Sequence, residues 1–277
     1  MSRITKRFEK LKADKRAGLV IYISAGDPNA EVGYEILKGL PAAGADLIEL
    51  GMPFTDPMAD GPSVQVAGQR ALKAGMTVDG TFDMVRRFRK ETGDNDTPIL
   101  LMGYYNLVYQ RGVEKFCKDA ATAGVDGFIL VDLPPEEAEA LKKHAVPNGL
   151  DTILLTAPTT DDKRLPAVLK FSSGFVYFAS VLGITGTKSA SEETVRSHVE
   201  RIKRHTRLPV GVGFGIKTPE QAAAVARHAD AAVVGSAIVD QVKVALDEHG
   251  KPKAKLVAGV LDFVKSLASG VRSVSKS

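Results

Sequence analysis

The sequence predicts an α/β protein, a closed (β/α)8 TIM barrel carrying an extra helix at its N-terminus. Three observations predict it. Short apolar runs alternate with helical stretches eight times along the chain. The runs are continuously apolar rather than alternating, as strands of a parallel sheet covered on both faces are. The 277 residues match the length of such a barrel in one domain, residues 1–277.

The elements follow in order. MSRITKRFEKLKADKR is basic but lacks the apolar stretch of a signal peptide. It reads as an amphipathic helix with Ile4, Phe8 and Leu11 on one face. The first strand–helix unit is LVIYISAGDP with EVGYEILKGLPAAG, and the second is ADLIELGMPF with VQVAGQRALKAG. PILLMGYYN precedes VEKFCKDAATAG, and DGFILVDLP precedes PEEAEALKKHA. The fifth and sixth runs, DTILLTAPT and GFVYFASVLG, lead into DDKRLPAVLKF and SEETVRSHVERIKRH. LPVGVGFGIK and PEQAAAVARH form the seventh unit. DAAVVGSAIV opens the eighth, before a long C-terminal helical region and a tail, SGVRSVSKS, that reads as frayed. Glycines in AAGAD and TAGVD supply left-handed helix caps. An open doubly wound sheet is the alternative, but the turn after the first run reads SAGDPN and not G-x-G-x-x-G.

Composition narrows the function. With 44% apolar and 25% charged residues and no long apolar run, the chain reads as a cytoplasmic globular protein without a membrane span. The net charge of +4 is dispersed and not interleaved with aromatics, which argues against nucleic acid and suits an anionic small molecule. One cysteine excludes an internal disulfide and any multi-cysteine metal site, and Cys117 reads as a buried, inert thiol.

Barrel active sites are built at the C-terminal ends of the strands. Those ends hold Asp27, Glu49 with its loop, Tyr104 to Asn106, Asp132, Thr156, Ser180 to Gly186, Gly213 to Gly215, and Gly235 with Ser236. All five histidines fall elsewhere, so acid–base chemistry falls to carboxylates or tyrosines, with no metal. Glu49 lies inside an apolar strand, IELG. Burial there raises a carboxyl pKa toward values useful in proton transfer; a salt bridge to a neighbouring strand is the other reading. Asp60 follows in the loop MPFTDPMADGP. It is either a catalytic group or the cap of the helix that Pro62 opens. GFGIK and GSAIV after the seventh and eighth runs let backbone amides approach a phosphate, and GITGTKSAS is a third glycine-rich loop.

IELGMPFTDPMADGP closely resembles the signature of the tryptophan synthase α subunit family, usually LELGVPFSDPLADGP. The resemblance spans nearly the whole chain: YISAGDPN, MGYYNLV, VDLPPEE, GITG and GFGIKTPEQ match the family's other strand-end loops. It implies cleavage of indole-3-glycerol phosphate to indole and glyceraldehyde 3-phosphate, without a cofactor in this chain. It also implies a β subunit partner carrying pyridoxal phosphate, in an α2β2 heterotetramer that passes indole between subunits. By the same resemblance Glu49 shuttles the protons and Asp60 accepts the indole N–H. Tyr177 lines the site; Tyr22, Met102, Ile129, Leu155 and Phe214 form the indole pocket; Gly186, Gly215, Gly235 and Ser236 contact the phosphate. Thr185 reaches Asp60 when a lid made of residues 53–60 and 183–191 shuts. The β subunit favours the shut state through that second-strand loop and a loop at Tyr104–Tyr109. A lyase acting alone and a catalytically idle activator of the β subunit are the competing readings. The sequence departs from the family at Val181, where an arginine is usual, and at Val66 and Gly68, where asparagines are usual. These changes touch mobile elements and the interface, not Glu49 or Asp60.

Overall fold

The computed structural model describes residues 1–180, 191–213 and 215–276. The chain begins with α1 (Arg3–Ala13), β1 (Gly18–Ser24), α2 (Ala30–Ala43) and β2 (Leu47–Gly51). Next come α3 (Pro62–Lys73), α4 (Val78–Thr92), β3 (Ile99–Gly103), α5 (Tyr105–Arg111), α6 (Val113–Ala123) and β4 (Gly127–Leu130). The second half runs α7 (Ala138–Ala145), β5 (Asp151–Thr152), β6 (Leu155–Thr156), α8 (Leu165–Phe171), β7 (Val176–Ala179), α9 (Glu192–Lys203) and β8 (Val210–Gly213). It ends with α10 (Pro219–His228), β9 (Ala231–Val234), α11 (Ser236–Val244) and α12 (Leu256–Arg272).

Every strand pairing is parallel, in the order β5-β4-β3-β2-β1-β9-β8-β7-β6. The two ends of that order are adjacent in the chain, so the sheet closes on itself through residues 153 and 154. This corrects the fifth predicted strand, which is two short segments. Asp151 and Thr152 pair with β4, and Leu155 and Thr156 pair with β7. Between them Ile153 N–H still donates to Phe128 (2.9 Å), while the Leu154 carbonyl already accepts from Tyr177 (3.3 Å). The strand changes neighbours midway, and each half registers as a separate strand.

The N-terminal helix forms as its pattern predicts. Ser2 caps it by accepting from the Thr5 amide (3.2 Å), and Ile4, Phe8 and Leu11 face inward. They pack with Val20, Leu47, Leu100 and Phe175 inside the barrel, and the Phe8 and Phe175 rings lie 5.6 Å apart. The helix therefore plugs the floor, and each of these side chains contributes about 1.5–3 kcal/mol by burial. Acidic residues preceding strands tie the same end. Asp46 accepts from the Leu19 amide and, two-pronged, from Arg16; Asp126 accepts from the Ile99 amide, Arg3 and Arg89.

Three further readings are corrected. A helix absent from the predicted units, α4, follows α3: Thr77 caps it and Phe82, Val85 and Phe88 are buried. The expected Tyr104–Tyr109 loop is mostly α5, whose first amide, at Tyr105, donates to Asp132 (2.8 Å) from the neighbouring loop. The tail is tied rather than frayed: the Lys276 amide donates to the Lys15 carbonyl (2.8 Å) and its ammonium to that of Ala229. Among the described residues, no helix is long and apolar enough to cross a membrane, and no three His, Cys, Asp or Glu converge as metal ligands.

Candidate active site

At the C-terminal ends of the strands a pocket is lined by Tyr22, Glu49, Asp60, Val64, Met102, Tyr177, Gly215, Ile216, Val233, Gly235 and Ser236. Strand register sets its floor. Glu49 is the third residue of β2, directly between Tyr22 of β1 and Leu100 of β3. The residue is 1% exposed, and among the described residues its Oε1 has no hydrogen-bond partner. Among the described residues no cation pairs with it, and the salt-bridge reading finds no partner there. Burial pushes its pKa from the ordinary 4.5 up to about 8. At neutral pH it holds a proton.

Asp60 reaches the same pocket from above. Gly61, not Asp60, is the N-cap of α3, and Pro62 stands at its first turn; the capping reading of Asp60 therefore fails. Asp60 is free to face the pocket, where Tyr104 holds it. The Tyr104 hydroxyl donates to the Asp60 carboxylate and accepts from the Ala59 amide (2.9 Å). Burial raises the Asp60 pKa and the Tyr104 bond lowers it, leaving it at about 6. Two carboxyls thus share one pocket in opposite protonation states near pH 7.

Both pocket tyrosines lean on glycines. A Cβ at Gly213 would sit 2.3 Å from the Tyr177 hydroxyl, and one at Gly51 would sit 2.2 Å from that of Tyr22. Burial, with Glu49 close by, keeps the Tyr177 phenol well above its usual pKa, and therefore neutral. At the opposite wall Gly215 adopts φ +81°, a left-handed conformation that glycine takes without strain. Nearby, α11 begins straight after β9, with Gly235 at its N-cap and no side chain capping its first turn. That arrangement leaves helix-end amides for an anion.

The pocket gathers Tyr22, Glu49, Asp60, Met102, Tyr177, Gly215, Gly235 and Ser236 from the sequence-based set. Ile129 and Leu155 do not line it. Ile129 is fully buried in the barrel's interior cluster and Leu155 packs against that cluster; in register they pair with the pocket's Met102 and Tyr177. Thr185, Gly186 and Phe214 lie outside the described residues, as do Val181 and most of the expected sixth lid loop. Val64, Ile216 and Val233 were missed. Val64 belongs to the buried face of α3 with Ala67 and Ala71, a helical spacing readable once that helix is placed. Val233 points inward two residues before Gly235, a period-two signal lost in a uniformly apolar strand.

Comparison with known proteins gives a consistent picture. A family model described as tryptophan synthase alpha chain matches residues 8–268. The structure of tryptophan synthase subunit alpha from Legionella pneumophila is 38% identical, with TM-score 0.90, covering 99% of this chain and 100% of that one. A structure from Aquifex aeolicus is 36% identical with TM-score 0.87, covering 98% and 99% of the two chains. One of Mycobacterium tuberculosis tryptophan synthase is 35% identical with TM-score 0.87, covering 98% of each.

Proposed function

The chain belongs to the tryptophan synthase α-chain family, and from that premise we propose that Glu49 and Asp60 carry its reaction. The reaction is the carbon–carbon lysis of indole-3-glycerol phosphate to indole and glyceraldehyde 3-phosphate. Indole C3 takes a proton and becomes a leaving group. The hydroxyl next to the breaking bond loses a proton, and the C–C electron pair returns to the ring. One group can donate the first proton and recover the second. Glu49 suits this because it is buried, protonated near neutrality and, among the described residues, has an Oε1 without a hydrogen-bond partner. That buried carboxyl in the pocket, its Oε1 left without a partner among the described residues, is the observation carrying the proposal.

Asp60, ionised above about pH 6, accepts the indole N–H and stabilises the positive charge that grows on the ring as C3 is protonated. Tyr22, Met102, Val64 and Tyr177 surround the indole. The phosphate sits against Gly215 and the uncapped start of α11 at Gly235 and Ser236. Thr185, Gly186 and Phe214 complete the site as the family resemblance implies. Ile129 and Leu155, paired in register with Met102 and Tyr177, back the indole pocket. This acid–base chemistry needs no cofactor in the chain, and the 277 residues act as one barrel domain in the cytoplasm.

A β subunit carrying pyridoxal phosphate takes the indole, in an α2β2 assembly. It covers loop 53–60 and α5, where Met58 beside Phe54 and Tyr104 is 75% exposed and Tyr109, against Tyr105, is 67% exposed. Indole release from indole-3-glycerol phosphate, measured with and without β subunit, tests the reading. Slow release alone and faster release with β is expected. Equal rates would mean a lyase acting alone, and no release under either condition would mean a catalytically idle activator.

A further inference from the structure

Asp60 sits on a loop, whereas Glu49 sits in a strand. A reaction that uses both needs the loop held as firmly as the strand. Helix α3 begins two residues after Asp60 and is fastened at two points. Gln65 reaches back from its second turn: the side-chain amide donates to the Asp60 carbonyl at 2.8 Å and lies 3.4 Å from the Pro57 carbonyl. Further along, Arg70 forms a two-pronged pair with Asp27, Nε to Oδ1 at 2.7 Å and Nη2 to Oδ2 at 2.8 Å.

Asp27 is 3% exposed and stands just beyond the end of β1, the strand beside Glu49's own. A planar two-pronged contact resists both sliding and rotation of the helix. A pair buried this deeply is weak evidence of net stabilisation, so geometry is the better account of what it does. None of Asp27, Gln65 and Arg70 lines the pocket, so these bonds do not serve the substrate directly.

We propose that α3 is a clamped post that sets the Asp60 carboxylate relative to Glu49, with Gln65 and Arg70 as its positioning residues. The Asp27–Arg70 pair fixes the helix to the strand layer. Gln65 transfers that fixity to the last turn of the loop, and Tyr104 completes the hold on the carboxylate itself. The inference rests on the role proposed for Asp60.

The test compares Gln65→Met, Arg70→Lys, Asp60→Asn and the Asp60→Asn/Gln65→Met double variant in steady-state cleavage of indole-3-glycerol phosphate with saturating β subunit. Gln65→Met keeps side-chain length without the amide, and Arg70→Lys keeps the charge beside Asp27 without the fork. Each is expected to lower kcat about tenfold, with KM within about twofold of wild type and little change in melting temperature. In the Asp60→Asn background Gln65→Met is expected to cost less than about twofold more, because nothing remains to be positioned. Wild-type kcat in both single variants, with Asp60→Asn impaired, overturns the post alone. A tenfold loss from Gln65→Met that persists in the Asp60→Asn background also overturns it. Wild-type turnover in Asp60→Asn overturns the assignment of Asp60, and the post with it. Should Gln65→Met fail to fold, Arg70→Lys carries the same comparison in both backgrounds.

Discussion

Glu49 and Asp60 are both carboxyls, and their surroundings separate them. Burial pushes Glu49 up to about 8; Asp60 is half-buried beside the Tyr104 hydroxyl and stands at about 6. Between those values Glu49 carries a proton and Asp60 does not. On the proposed roles kcat/KM rises through about pH 6, falls through about pH 8, and peaks between. A rate profile still climbing at pH 9 would contradict a protonated Glu49 as the starting acid. The same burial has a stability consequence. The native state keeps the Glu49 proton while the unfolded chain loses it from the ordinary 4.5 upward, so stability falls as pH rises from 4.5 to about 8. Glu49→Gln removes that loss. Denaturation at pH 8 should find the variant more stable by about 1–4 kcal/mol, with no gain at pH 4. Glu49 was legible in the sequence because a lone carboxylate interrupts an apolar strand. Asp60 was ambiguous, since Asp-Gly-Pro is equally a helix-start sequence; only the position of Gly61 as the actual cap separates the two readings.

Elements whose signals are local were legible, and those set by distant partners were not. The N-terminal helix, with its cap and apolar face in one stretch, forms as predicted. Helix α5 hides because its first amide is satisfied by Asp132, 27 residues away. The fifth strand divides because its neighbours change, a fact of closure that no window of sequence contains. Glycines that follow β8 and β9 were legible as part of the pocket because both occur at consecutive strand ends, and the proposal gives them the phosphate. At Gly235 a Cβ would lie 3.4 Å from the Cβ of Tyr22, so valine's methyl groups must crowd Tyr22 or the start of α11. Gly235→Val is therefore expected to raise KM for indole-3-glycerol phosphate about tenfold and to weaken competition by glycerol phosphate to a similar degree. An unchanged KM in the folded variant would move the phosphate elsewhere.

Across the whole molecule the barrel divides its work by end. The N-terminal end of the strands is closed by α1, by Asp46 and Asp126 with their arginines, and by the pinned tail. The C-terminal end gathers the buried Glu49, the held Asp60 and the glycine-lined wall, next to the exposed face of loop 53–60 and α5. Alternating strands and helices made this division legible from the sequence, because the barrel rule assigns stability to one end and chemistry to the other. The order of the helices around the barrel was less so, since α4 sits inside what reads as one unit. The central claim is that one buried carboxyl moves both protons. Its most direct test is indole release from indole-3-glycerol phosphate by wild type and Glu49→Gln at saturating β subunit, with substrate binding measured alongside. The account predicts binding within about threefold and a loss of turnover of about 10²-fold or more in the variant; turnover within about threefold of wild type would contradict it.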